Sequence, residues 1–526
     1  MELYDKYFHE NIELNPSVND YLNLSKYKYL KNKMENPFSK VHKKKVTQLN
    51  KKYLALLNKK KILNIFEKTL KYTIEIELEN DKYDLDLMPI NHQENIITYI
   101  LENANGSTGY IYKTKKDYND FLQKIQIFPE IIDSIIQNMT LGIKKKITLP
   151  KIIAIKLKNQ LVSAVKNKSY HVEKINVKLD FDYNKQLDKI FIVNLKKLIN
   201  FLENTYIKHA RKNIGLCDVP NGKKMYEYLV RSSLTLKNIT IDKIHNYGIY
   251  EVERIYKEMH SIKDKLQFKG TLKQFNKYLL NKKSLKFKNE KEVLNEYKKV
   301  LNNINENIIP KYFDIKIKNK CVIKRVPKYN ESYSAEAYYL PGDLENKRQG
   351  KFFINLGNIK DLSKIEMESL TLHEANPGHH FQITYHNESN IPLFIKTYNN
   401  DAYQEGWALY CENLGDYTSL ESYYGKLVLE MLRALRIVVD TGIHYYKWDY
   451  NKTFKYYKKY SFDTDSRIHN QLLRYISIPS QALTYKMGEK FILELLFKYK
   501  GNIKDFHSKF MKYGPIPLFL LKETFK

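Results

Sequence analysis

The segment 371–382 reads Thr-Leu-His-Glu-Ala-Asn-Pro-Gly-His-His-Phe-Gln. Imidazole and carboxylate are the ordinary donors for a divalent transition metal. A common zinc-binding pattern sets two histidines four apart on one helix, with a glutamate after the first, so that both rings share a face. Here the next histidines come later, His379 six residues and His380 seven residues after His373. A regular helix does not aim His373 and His379 at one ion. Asn376-Pro377-Gly378 offers the remedy, because proline removes a backbone donor and glycine tolerates unusual dihedrals. A bulge that absorbs two residues restores the spacing. On the residues alone the second ligand is His379 or His380, and the other packs behind the site.

The third ligand is expected from a separate helix. Tyr403-Gln404-Glu405-Gly406-Trp407-Ala408-Leu409-Tyr410 supplies Glu405, 26 residues after His379. Two histidines and one carboxylate leave a fourth position open, as in catalytic rather than structural zinc sites. Glu374, beside the first histidine, is then free to act as general base and later as general acid. One zinc ion is the expected cofactor, and the same donors also accept manganese or cobalt.

Other groups complete the chemistry. Asp440 and His444 stand one turn apart at the end of an apolar helical pattern. Asp440 is expected to orient a ligand histidine from behind, and His444 to contact substrate. Glu412, seven residues beyond Glu405, faces the same way two turns on and reads as a supporting residue. Arginine is scarce, nine among 89 basic residues, and Arg433, Arg436, Arg467 and Arg474 cluster after the metal motif. Arg474 is the candidate for a bidentate bond to a substrate C-terminal carboxylate.

These residues need a scaffold. The hydrophobic fraction of 43% supports a packed core. The net charge of +30 is carried almost wholly by lysine. Base and phosphate readers favour the arginine fork, so no specific nucleic-acid partner is expected, only salt-sensitive attraction. Cys217, Cys321 and Cys411 are scattered and odd in number, which excludes a disulfide scaffold. The N-terminus shows no apolar signal region, and no run of about 18 apolar residues occurs, so a soluble, cytoplasmic protein without a membrane span is expected. Nothing in the sequence speaks to oligomeric state. Helical periodicity covers 1–80 and 115–310. Strand patterns follow at Cys321–Val326, Ala335–Leu340 and Lys351–Leu356, with a turn at Pro341-Gly342. The expected fold is mainly α, with a small β-sheet just before the metal-binding helix. The expected division is a helical region over 1–310 and a catalytic region over 311–526.

The stretches Leu372–Gln382 and Gln404–Glu412 resemble the bacterial domain of unknown function 885 (DUF 885), grouped with the gluzincin metallopeptidases. So do Arg436–His444, Ile478–Gly488, Ala337–Pro341 and Met88–Asn91. The resemblance implies a large helical body with a deep active-site cleft, as in thermostable carboxypeptidases and oligopeptidases. It makes the histidine after a glycine the ligand, hence His379. It implies that Tyr485 steadies the oxyanion, and that the strand near 352–357 offers an edge to an extended peptide. The activity it implies is zinc-dependent hydrolysis of short peptides, from the C-terminal end in a carboxypeptidase manner. Two other readings are a zinc hydrolase of another amide or ester, and a basic nucleic-acid or membrane-binding protein with a vestigial metal site. Many members of that family look like exported lipoproteins, a location this chain's N-terminus does not support.

Overall fold

The computed structural model describes all residues except 109, 329–330, 332–335 and 346–347. It divides into two compact units. The first holds Met1–Tyr228, Ile443–Asp449 and Ile476–Ile478, and the second Leu229–Gly442, Tyr450–Tyr475 and Pro479–Lys526. The main boundary therefore falls at Tyr228/Leu229 rather than near 310. The helix Glu290–Asn303 packs on the small sheet and on the helix that carries His373, through Val293, Tyr297 and Leu301.

In the first unit, α1 (Leu3–Leu14), α2 (Lys40–Asn58) and α3 (Ile65–Asn80) pack on one another. Asn64 starts α3 with a capping box closed by Glu67. Further on, α4 (Phe128–Lys145) buries Ile131, Ile132, Ile135 and Met139 against Leu187, Phe191 and Leu195 of α5 (Tyr183–Phe201). The three- and four-residue spacing of those side chains makes one apolar stripe on each helix. His444 belongs to this unit and is fully buried. Its Nδ1 accepts the backbone N–H of Leu216 at 3.1 Å, and its ring lies 5.5 Å from that of Tyr226.

The second unit contains α6 (Ile241–Lys265), α7 (Glu290–Asn303), the strands β1 (Val322–Arg325), β2 (Ala337–Leu340) and β3 (Lys351–Ile354), and then α8 (Met367–Glu374), α9 (His379–Glu388), α10 (Asp401–Cys411), α11 (Leu420–His444, all but its last two residues), α12 (Asp465–Ser477, again all but its last two) and α13 (Thr484–Lys498). The fold is mainly α, with a single small sheet among the described residues. Ala335 of the expected second strand lies outside the described residues. The sheet order is β1-β3-β2, with β3 parallel to β1 and antiparallel to β2. Phe352 faces Ile323 on one side and Tyr339 on the other. This corrects the expectation of an edge near 352–357. β3 is the central strand, its ladder groups already paired on both flanks, and the edges are β1 and β2. One sheet face packs on α7 and α8 through Ile323, Phe352, Ile354, Val293, Tyr297 and Met367. Complete burial of side chains such as Phe352 and Ile354 stabilises by about 1.5–3 kcal/mol each. The sheet thus anchors the helix that carries His373. Among the described residues no helix is long and apolar enough to cross a membrane.

Candidate metal centre

The helix does not bulge at Asn376-Pro377-Gly378 but ends and restarts. α8 stops at Glu374, Ala375 leaves helical geometry at φ −102° and ψ −106°, and α9 begins at His379. The Asn376–Pro377 peptide is cis. The Phe381 N–H reaches back to the Ala375 carbonyl at 3.3 Å, a ring two residues wider than an α-helical turn. Two residues are therefore absorbed, as the spacing demanded, by a break between helices. Glycine is required at 378, since a Cβ there would lie 2.0 Å from the His373 carbonyl oxygen and 2.4 Å from that of Leu372. The buried Trp407 indole N–H holds the turn by donating to the Pro377 carbonyl at 2.8 Å.

The result brings His373, His379 and Glu405 together, with one donor atom from each inside 4.8 Å of the others. Glu405 Oε2 lies 3.5 Å from His373 Nε2 and 3.4 Å from His379 Nε2. The two rings are 4.9 Å apart and nearly perpendicular, at 87°. Ligands bound at about 2.0–2.1 Å around a tetrahedral centre stand roughly 3.3 Å from one another. Glu405 Oε2 is buried and makes no well-formed hydrogen bond among the described residues. Its neighbours surround a point instead of bonding to it, as a metal-binding set does. The donor set and spacing therefore fit a divalent ion.

Electrostatics agree with that shape. Burial alone would lower the His373 pKa, but contacts with Glu405 and Glu412 outweigh it and hold the imidazole at about 9. Burial would raise the Glu405 carboxyl, yet the charges of His379 and His373 hold it well below the usual range. Behind His373, Nδ1 meets Glu412 Oε1 at 2.8 Å. Glu412 is fully buried, and Ser369 Oγ donates to its other oxygen. Arg433 lies 3.5 Å away. Burial would raise the Glu412 carboxyl, and Arg433 with His373 brings it below its ordinary value. Glu374, at the end of α8, is half-buried, and its carboxylate has no hydrogen-bond partner among the described residues.

His380 takes no part in the cluster. Its Nε2 lies 3.0 Å from the Asn319 carbonyl and its Nδ1 3.0 Å from the Tyr339 hydroxyl. Asp440 was expected behind a ligand histidine, but its two oxygens receive the Ser480 N–H at 3.1 and 3.2 Å. Glu412 occupies the position assigned to it, because α10 runs on from Glu405 and brings the next acid of that face under His373. His444, expected at substrate, is sealed in the first unit as described above.

Tyr485 lies on α13, which crosses α10 so closely that a Cβ on Gly406 would stand 2.4 Å from Gly488 Cα. Arg474 Nη2 donates to the Tyr485 hydroxyl at 3.3 Å and to Gln481 Oε1 at 2.8 Å. Asp401 escaped the sequence reading, and Arg436 entered it only as one of four clustered arginines. Asp401 precedes Glu405 by one turn, on the same face of α10. Burial raises its pKa and so does the charge of Glu405, while Asn399, Arg474 and His379 oppose that rise. Arg436 places its guanidinium 4.4 Å from the Tyr485 ring centroid. The four-residue step from Asp401 to Glu405 was the available signal for the first. A cavity of about 420 Å³ lined by Leu236, Lys237, Met487 and Phe519 includes none of these residues.

A helical unit carrying a His-His-Glu donor set, with a free glutamate beside the first histidine, defines a candidate metal-binding protein. The chain belongs to the family described as bacterial protein of unknown function (DUF885), whose model matches residues 16–524. No curated protein matches the sequence. Among solved structures it is similar to a candidate lipoprotein from Colwellia psychrerythraea, at 21% identity and a TM-score of 0.86, covering 99% of this chain and 97% of that one. It is also similar to a candidate lipoprotein of unknown function from Shewanella oneidensis, at 16% identity and a TM-score of 0.78, covering 99% and 98%. At these identities the likeness is one of fold.

Proposed function

We propose that the protein is a zinc-dependent peptidase of gluzincin type, acting on short peptides. The observation that supports this best is Glu405 Oε2, buried between two imidazole nitrogens at 3.4 and 3.5 Å with no well-formed hydrogen bond among the described residues. His373, His379 and Glu405 would hold the ion, and Glu412 would orient His373 through Nδ1. When bound there, a zinc ion supplies Lewis acidity and lowers the pKa of water it carries to near neutrality.

The chain's own groups divide the remaining work. Glu374 follows a ligand directly, and its carboxylate is free to accept a proton and return it to the leaving amine. Arg474 donates to the phenol oxygen of Tyr485, which leaves the phenolic hydrogen free to donate to a developing oxyanion. β2 is an edge of the sheet, and its outer flank, which pairs with no strand among the described residues, would take an extended peptide. Elemental analysis of the purified protein, followed by digestion of a mixed peptide library with and without chelator, tests the reading. One zinc per chain and chelator-sensitive cleavage are expected. Cleavage of an ester panel with no peptide cleaved would move the activity to another acyl substrate.

A further inference from the structure

Every other buried cation near the centre of the second unit has a carboxylate. Lys486 lies 2.6 Å from Glu430 and 2.5 Å from Glu489, Lys426 lies 2.8 Å from Glu430, and Arg433 faces Glu412. Arg436 has none within 4.0 Å among the described residues, although only 6% of it is exposed. Its Nε donates to the Tyr475 hydroxyl at 3.3 Å, and its face lies on the Tyr485 ring. Nη1 and Nη2 have no protein acceptor among the described residues, and neither is sealed from solvent. Arg474, on the hydroxyl side of the same tyrosine, has no carboxylate within 4.0 Å among the described residues. Two guanidinium groups therefore converge on one phenol, Arg436 buried without a carboxylate and Arg474 with only Asp401 in electrostatic reach. Burying an arginine unpaired is costly, and a carboxylate that meets its fork recovers that cost through two parallel charge-assisted bonds.

The place of this pair is informative. Tyr485 is one helical turn before Gly488, where α13 touches α10, and Glu405 directly precedes Gly406 on the other side of that contact. Asp401, one turn before Glu405, interacts with Arg474 as well as with Glu405 and His379. We propose that Arg436 and Arg474, on either side of Tyr485, form a subsite for the free C-terminal carboxylate of a peptide substrate. This rests on the peptidase reading and sharpens it to an exopeptidase that removes residues from the C-terminal end.

The experiment compares an N-acylated tripeptide ending in a free carboxylate, its C-terminal amide, and an amide whose last residue is aspartate. The zinc-loaded protein should cleave the first with kcat/KM about 100-fold or more above the plain amide. Weak cleavage of the aspartyl amide would show that a side-chain carboxylate does not substitute. Arg436→Met and, separately, Arg474→Met should shrink the preference to a few-fold while zinc stays at one per chain. The wild-type comparison stands even if a variant fails to fold. Equal cleavage of acid and amide by the wild type overturns the subsite. If no peptide is cleaved, calorimetry on Glu374→Gln with the same three peptides decides separately. Binding of the acid alone, lost in Glu374→Gln/Arg436→Met, upholds the subsite and removes the peptidase reading. Equal binding of all three removes the subsite.

Discussion

Nδ1 of His373 stands 2.8 Å from Oε1 of the fully buried Glu412. That contact fixes the tautomer and rotation of the ring, so that Nε2 is the nitrogen turned toward Glu405. A carboxylate in this position also raises the basicity of a ligand imidazole. Glu412→Ala is expected to weaken zinc binding about 10- to 100-fold, with Glu412→Gln less affected because it keeps an acceptor for the Nδ1 hydrogen. Competition titrations against a chromophoric chelator measure both. Unchanged affinity in the alanine variant would reduce Glu412 to a packing residue.

In the proposed mechanism Glu374 moves protons and does not bind the ion, although it adjoins His373 in sequence. Glu374→Gln should retain one zinc per chain and lose about 10²- to 10⁴-fold in kcat. Steady-state hydrolysis beside elemental analysis of the same sample checks it. Full activity in the variant would assign the proton transfer to another group.

Gly378→Ala should damage the site without touching a ligand. Its new Cβ would meet two carbonyl oxygens inside 2.5 Å, those of His373 and Leu372. The break between α8 and α9 must open to admit it. A loss of about 1–3 kcal/mol in unfolding free energy is expected, together with weaker zinc binding as His379 moves. Denaturant titration of the metal-free variant isolates the first effect. A variant as stable as the wild type would contradict the tight turn.

Acid should destabilise the second unit through buried neutral histidines. His507 donates Nδ1–H to the Tyr312 carbonyl at 2.9 Å and accepts the Tyr410 hydroxyl at Nε2 at 2.8 Å, a tautomer that its partners assign. Burial pushes its pKa down to about 4, and that of His386 to about 3. Both are depressed from about 6.5 in the unfolded chain. Their contribution is therefore complete above pH 6.5 and is lost as pH falls toward those folded values, since the unfolded chain then binds more protons. The slope from these two groups approaches about 2.7 kcal/mol per pH unit near pH 5. Denaturant midpoints at pH 7, 6 and 5 measure it, and His507→Gln should flatten the dependence. A midpoint that does not move between pH 7 and 5 would contradict it.

Much of the site was legible because metal ligation demands particular side chains. His373 and Glu405 could be chosen from type and spacing and Gly378 from the need for an irregular turn, whereas His379 was preferred over His380 only through the family resemblance. The form of that turn was not legible. Two helices meeting at a break and one helix with a bulge absorb the same two residues, and only the Phe381-to-Ala375 bond separates them. Strand patterns at 321–326, 335–340 and 351–356 each contain an observed strand, but the place of the last one at an edge was not borne out. β3 inserts between β1 and β2, and side-chain alternation says nothing about which strand lies in the middle. Asp440 and Glu412 were both acids near the motif. Which one lies under His373 depends on how α10 is set against α8. Arg436 looked like one scarce arginine among four, and its lack of a counter-charge is visible only once its neighbours are placed.

The central claim is that His373, His379 and Glu405 hold one catalytic zinc ion. Anomalous scattering from crystals of the zinc-loaded protein, recorded on both sides of the zinc edge, tests it most directly. The account predicts one strong peak within bonding distance of His373 Nε2, His379 Nε2 and Glu405 Oε2. A peak bound by His380 in place of His379, or no peak at this cluster in crystals that contain zinc, would contradict it.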